Sequence, residues 1–145
     1  MTILEVAFFT ASSFWTSPAP APAPTTEVRF VVTDLPSVKS TVKLYFYNVE
    51  DSFLKVNRYA FMRRLKPDGQ NRVVVPVDLP PGEWAVALTQ DTNNNDRLDK
   101  NMMGIPTEPY AFSNNIRPKF SAPGFDECKF VVKGPAQVVT ISMKN

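Results

Sequence analysis

The chain is predicted to fold as an all-β, antiparallel β-sandwich of about seven strands, immunoglobulin-like or prealbumin-like, with one long ordered loop. Three observations predict it. Apolar residues recur at every second position from Thr26 onward. The recurring segments are rich in Val, Ile, Phe and Trp, residues that suit a pleated, half-buried surface. Pro- and Gly-containing turns separate these segments, with no long amphipathic helix and no internal repeat.

In order along the chain, Val28, Phe30 and Val32 alternate with Arg29, Val31 and Thr33. Val42, Leu44 and Phe46 do the same against Lys43, Tyr45 and Tyr47. Asp51 is placed to cap one short helical turn through Leu54. Arg58 to Leu65 reads as a further strand or an irregular stretch. Val73, Val75 and Val77 form the next set, and Pro76 within it demands an edge strand or a bulge. Leu79-Pro80-Pro81-Gly82 matches a type II turn ahead of Trp84, Val86 and Leu88. Phe130 with Val132, then Val139, Ile141 and Met143, complete the pattern.

Composition bounds the chemistry. With 145 residues, 43% of them hydrophobic, one domain with a continuous core is expected. Histidine is absent, which excludes imidazole acid–base catalysis and histidine zinc sites. A single cysteine excludes an intramolecular disulfide. The net charge of +2 is too small to mark a nucleic-acid footprint, and no nucleic-acid partner is expected. Residues 1–25 read as a signal-like apolar segment with a Pro-Ala linker, and residues 26–145 as the sandwich domain. The apolar run Met1 to Trp15 is too short to span a bilayer, so no membrane span is expected in the mature domain. An apolar run followed by a semi-rigid polyproline spacer fits an export signal, although no basic residue precedes it. A periplasmic, secreted or cell-surface location follows.

Asp91-Thr92-Asn93-Asn94-Asn95-Asp96-Arg97-Leu98-Asp99 carries most of the functional signal. Oxygen donors recur at alternate positions, as in the opening of a calcium loop. Asp91, Asn93, Asn95 and Asp99 can supply side-chain oxygens, Arg97 its carbonyl, and Glu108 a returning carboxylate. The glycine and terminal glutamate of that loop type are replaced by Asp96 and Met102, so any Ca2+ affinity is weak, with a Kd of about 10⁻⁴–10⁻³ M. The competing reading is a set of Asx turns that binds no metal.

The stretch from Asp91 to Asp126 is long for a connection and reads as strand-poor. Tyr110, Phe112, Asn114 and Asn115 are candidates for a ligand platform. The competing reading has Ile105, Tyr110, Phe112, Phe120 and Phe125 tucked back to cap one end of the sandwich. Arg58 to Lys66 mixes basic and aromatic residues, best read as a charged edge strand. Cys128, preceded by Asp126 and Glu127, reads as a small buried hydrophobe.

The segments Leu79 to Val86, Asp91 to Asp99, Gly104 to Asn115 and Pro123 to Asp126 resemble the bacterial family called domain of unknown function 2141. The resemblance runs from about Glu27 to the carboxyl end. It implies export, a β-sandwich and no assigned activity, and the calcium-like loop falls on Asp91, Asn93, Asn95 and Asp99. The chain departs from the family at Asp96 and Ala111, where the family often has glycine. The layout is also similar to prealbumin-type modules of bacterial envelopes. The expected function is an exported, non-catalytic binding or structural module whose partner is an envelope protein, a peptide or a glycan. The alternative is a small cation- or carboxylate-dependent enzyme acting on carbohydrate or another polymer.

Overall fold

The computed structural model describes residues 15–144. The apolar run read as an export signal lies outside these residues except for Trp15. The Pro-Ala tract is exposed and has no regular secondary structure, because proline removes the backbone donors that a ladder needs.

Among the described residues eight strands form two sheets. They are β1 Thr26–Thr33, β2 Thr41–Tyr47, β3 Phe61–Leu65, β4 Val73–Leu79, β5 Gly82–Asp91, β6 Tyr110–Phe112, β7 Phe130–Val132 and β8 Ala136–Ser142. The smaller sheet has the order β4-β1-β8, and the larger β3-β2-β5-β6. The far edge of β5 is shared: Gly82 to Trp84 pair with β7, and Ala87 to Thr89 pair with β6. The predicted sandwich is therefore present.

Several details differ from expectation. β8 runs parallel to β1, from Glu27↔Ala136 to Thr33↔Ser142. The chain crosses from β7 in one sheet to β8 in the other through Lys133-Gly134-Pro135 rather than folding back as a hairpin. Thr26 Oγ1 donates to the Gly134 carbonyl at 2.6 Å, which ties that crossover to the start of β1. The stretch read as strand-poor contains the three-residue β6 and ends in the first half of a four-residue helix, α1 Phe125–Cys128. Asp51 lies inside a 3-10 turn, Glu50–Ser52, that has no side-chain cap. Gly82 has φ of 137°, away from the type II value, because it already begins β5 while Pro80 and Pro81 bridge the two sheets. Pro76 lies on β4, an edge strand, as proline requires. Arg63 and Arg64 are exposed on β3, the other sheet's edge, where charge opposes unwanted strand pairing.

Period-two burial builds the core between the sheets. Val28, Phe30, Val32, Leu44, Phe46 and Leu88 are fully buried there, each worth about 1.5–3 kcal/mol of apolar burial. The Phe30 and Phe46 rings meet edge to face, 5.1 Å apart across the layers. Trp84 is buried, and its indole N–H donates to the Pro80 carbonyl at 3.1 Å. A second apolar cluster lies on the outer face of the larger sheet. Tyr47, Phe53, Ala85, Ala87, Phe112, Phe125 and Cys128 form it. From Trp84 onward β5 is thus buried on both faces, and the small Ala85 and Ala87 leave room for the covering segment.

Candidate functional site

β5 ends at Asp91, and the chain does not rejoin the sheet as a strand until β6 begins at Tyr110. The root of this excursion is an ion-pair network set by strand register. Lys43 on β2 is opposite Thr89 of β5 and Arg64 of β3, while Thr41 is opposite Asp91. Residues two apart share a face, so Lys43 and Asp91 project together. The Lys43 Nζ donates to Asp91 Oδ2 at 3.1 Å and lies 2.7 Å from Asp96 Oδ1. Both the Lys43 and Asp91 side chains are about 5% exposed or less. Arg64 adds a second cation on Asp96, at 3.0 Å.

The backbone closes over the Asp91 carboxylate. Asn95 N–H donates to its Oδ1 at 3.2 Å and Asp96 N–H to its Oδ2 at 2.9 Å. Burial works to raise the Asp91 pKa, but the Lys43 ammonium and these two amides outweigh it and hold the carboxyl below its usual value. Asp96 is held low by Lys43 and then by Arg64. Burial works to lower the Lys43 pKa, but the two aspartates overcome it and hold the ammonium above its usual value. Asp96 has φ of 63°, the left-handed conformation that aspartate tolerates better than most residues.

Asn93, Asn95 and Asp99 come together on the outside of the loop. Both asparagine amides donate to the Asp99 carboxylate, Asn95 Nδ2 at 2.8 Å. Their own oxygens accept backbone N–H groups: Asn93 Oδ1 from Asn95, and Asn95 Oδ1 from Arg97. These are Asx turns. Glu108 is buried and accepts the Thr92 N–H at 3.1 Å, which closes the loop at its base. Arg97 is exposed.

In this arrangement the calcium donors read from the sequence bond one another, Lys43 and the backbone. Calcium wants six to eight oxygens turned to one centre. Here five of the six predicted ligands divide: Asn93, Asn95 and Asp99 meet, Asp91 lies against Lys43 and the backbone, and Glu108 serves Thr92. Around Asp99 the groups presented are amide N–H donors, and turning them over would break two Asx turns. Among the described residues no three acidic or cysteine side chains are grouped as metal ligands.

Beyond Asp99 the loop becomes a tight hairpin. Lys100 and Pro106 form an isolated bridge, and Asn101 N–H donates to the Ile105 carbonyl at 2.9 Å. The Asn101 side-chain oxygen accepts both Met103 N–H, at 2.9 Å, and Ile105 N–H, at 3.0 Å. Gly104 takes φ of 77° at the turn. At the apex Met102 is fully exposed and Met103 is 83% exposed, with Leu98 and Ile105 exposed on the flanks.

The four platform candidates are built into the fold. Phe112 is buried and Tyr110 half-buried, their rings 5.7 Å apart. Asn114 Nδ2 donates to the Glu127 and Lys129 carbonyls. Asn115 donates to the Thr140 carbonyl and accepts the Ser142 N–H. Phe112 and Phe125 tuck back against the outer face of the sheet, whereas Phe120 is fully exposed. Sequence reasoning missed Lys43, Arg64 and Asn101. The first two read as outward residues of strands, and only the pairing register reveals that they meet the loop.

The model of a family described as an uncharacterized protein conserved in bacteria, DUF2141, matches residues 30–140. The chain belongs to the DUF2141 family. The match runs from Phe30 in β1 to Thr140 in β8, so the DUF2141 region takes in both sheets, the ion-pair network and the hairpin. No curated protein matches the chain. No solved structure matches it either.

Proposed function

We propose that this DUF2141 protein is an exported, non-catalytic binding module of the bacterial envelope, with the 92–109 loop as its contact element. One observation carries the reading: a hairpin fully hydrogen-bonded at its base holds large apolar side chains, Met102 and Met103, out in solvent. Ordering a loop to display such groups opposes both chain entropy and the hydrophobic effect. A bound partner supplies the compensating contact. The polar groups beneath it support a structural rather than a catalytic role. Asp91 and Asp96 are held ionised by Lys43 and Arg64, which leaves them poor proton carriers near neutral pH. Calcium is not required, because Lys43 occupies the place of a cation at the root of the loop. The apolar start and Pro-Ala spacer support export, and the partner classes remain an envelope protein, a peptide or a glycan.

The experiment is cell fractionation of the tagged full chain, with sequencing of its mature amino terminus, beside a variant in which residues 98–105 are replaced by a short Gly-Ser turn. Recovery in the envelope, with release of the variant at unchanged melting temperature, supports the proposal. Recovery of an unprocessed chain in the cytosol overturns it.

A further inference from the structure

We infer that the hairpin tip and the end of the sandwich that carries it dock onto an anionic phospholipid surface, an inference that rests on the contact role just proposed for this loop. Strand register places four chain segments at one end. Thr33 is opposite Ser142, Val32 opposite Val73, Thr41 opposite Asp91, and Val42 opposite Leu65. The connections 34–40 and 66–72, the loop 92–109 and the segment after β8 therefore emerge together. The Gln90 side chain accepts the Ser37 N–H at 3.0 Å and ties the two layers together at this end.

Among the described residues at this end, Asp68 in the 66–72 connection is exposed and makes no ion pair, while the other carboxylates are bonded. Asp34 is bonded by Thr33 and Ser142, Asp91 and Asp96 by Lys43 and Arg64, Asp99 by Asn93 and Asn95, and Glu108 by Thr92. Among the described residues Lys39, Lys66, Arg72, Arg97 and Lys100 make no ion pair, and all five are exposed. The opposite end carries the exposed acids Glu50, Asp51 and Asp78 beside Lys55 and Arg58. Five unpaired cations against one unpaired carboxylate, Asp68, leave a net positive collar around an apolar projection, which complements an anionic headgroup layer above hydrocarbon. The projection is convex, with two methionines at its apex, and a bilayer accepts such a shape without a preformed pocket. Thioether side chains are flexible and polarizable, which suits a fluid interface. Among the described residues no helix is long and apolar enough to cross a bilayer.

The test is sedimentation of the full chain with phosphatidylglycerol vesicles and with phosphatidylcholine vesicles. Binding to the first and not the second is expected, weakening as salt screens the collar. Because the apolar amino terminus can itself meet lipid, the Met102→Asp/Met103→Asp variant is run beside it. The expected result is at least a tenfold loss of affinity at unchanged melting temperature. In a separate Met103→Trp variant, tryptophan emission is expected to shift to the blue on adding phosphatidylglycerol vesicles. Equal binding by wild type and the double-Asp variant, or no blue shift, overturns the inference. Absence of vesicle binding alongside tip-dependent envelope retention also overturns it, while leaving the contact role of the loop intact and pointing to a protein or glycan partner.

Discussion

The ammonium of Lys43 reaches Asp91, 48 residues away in the chain, at 3.1 Å, with both side chains nearly sealed from water. Ion pairs at the surface contribute little, whereas removing one partner of a buried pair leaves an uncompensated charge. Lys43→Met is expected to lower stability by about 3–5 kcal/mol in urea unfolding. A double variant, Lys43→Met with Asp91→Leu, should recover part of that loss, since no buried charge is then left alone. A single-variant effect within about 0.5 kcal/mol, the range of ordinary surface changes, would reject the structural role assigned to the pair.

The same network predicts a pH window. Asp91 and Asp96 titrate below their ordinary 3.8 in the folded chain. Their contribution is present above 3.8 and is lost as pH falls through the lowered values. Lys43 titrates above its ordinary 10.5. Its contribution is present below 10.5 and is lost as pH rises through the raised value. The stability gap between wild type and Lys43→Met should therefore be flat from about pH 5 to 9 and close toward both extremes. A gap that grows at low pH would contradict this.

Calcium offers a direct comparison. A site with a Kd of about 10⁻³ M would raise the melting temperature by at least about 3 °C in about 10 mM calcium relative to chelator. Because the loop oxygens are already engaged and Lys43 serves as the internal cation, a shift below about 1 °C is expected. A rise of several degrees, abolished by Asp99→Asn, would show that the Asx turns rearrange around a metal.

Ser113 has a different role. It is fully buried; its hydroxyl accepts the Val86 N–H at 2.9 Å and donates to the Cys128 carbonyl. It joins β5 to the end of α1. Ser113→Ala removes the partner of a buried N–H and is expected to lower stability by about 1–3 kcal/mol in urea unfolding. A loss smaller than that would mean water or a shifted backbone replaces the hydroxyl.

Cys128 is fully buried, and burial, with a smaller contribution from Glu127, pushes its thiol up to about 12. The thiolate is the reactive form. Labelling by a disulfide reagent near pH 8 should therefore proceed only as fast as the protein opens, and accelerate in denaturant. Fast labelling of the native chain would place this residue at an accessible surface.

Much of the sandwich was legible in the chain because a strand advertises itself locally. The two-residue rhythm of Val28 to Val32 or Trp84 to Leu88 follows from side chains alternating across a pleat. Pro76 announced an edge because it has no N–H to donate inward. The Asx turns of Asn93 and Asn95 were likewise readable, since each bonds a backbone group two residues on. β6 escaped notice because three residues, Tyr110–Phe112, are too few to show a rhythm.

The partnerships between segments belonged to the fold alone. No local pattern says that Lys43 lies opposite Thr89, that β8 runs parallel to β1, or that Ala85 and Ala87 accept a second apolar layer. Such facts depend on which strands pair and in what register, and a shift of one residue would turn Lys43 from Asp91 toward the core. The chain alone therefore settled the all-β class, the breaks between strands and the polar character of the 91–99 segment. Three-dimensional pairing decided what those polar groups touch, and hence that the loop is fastened from within and its methionines are left facing outward.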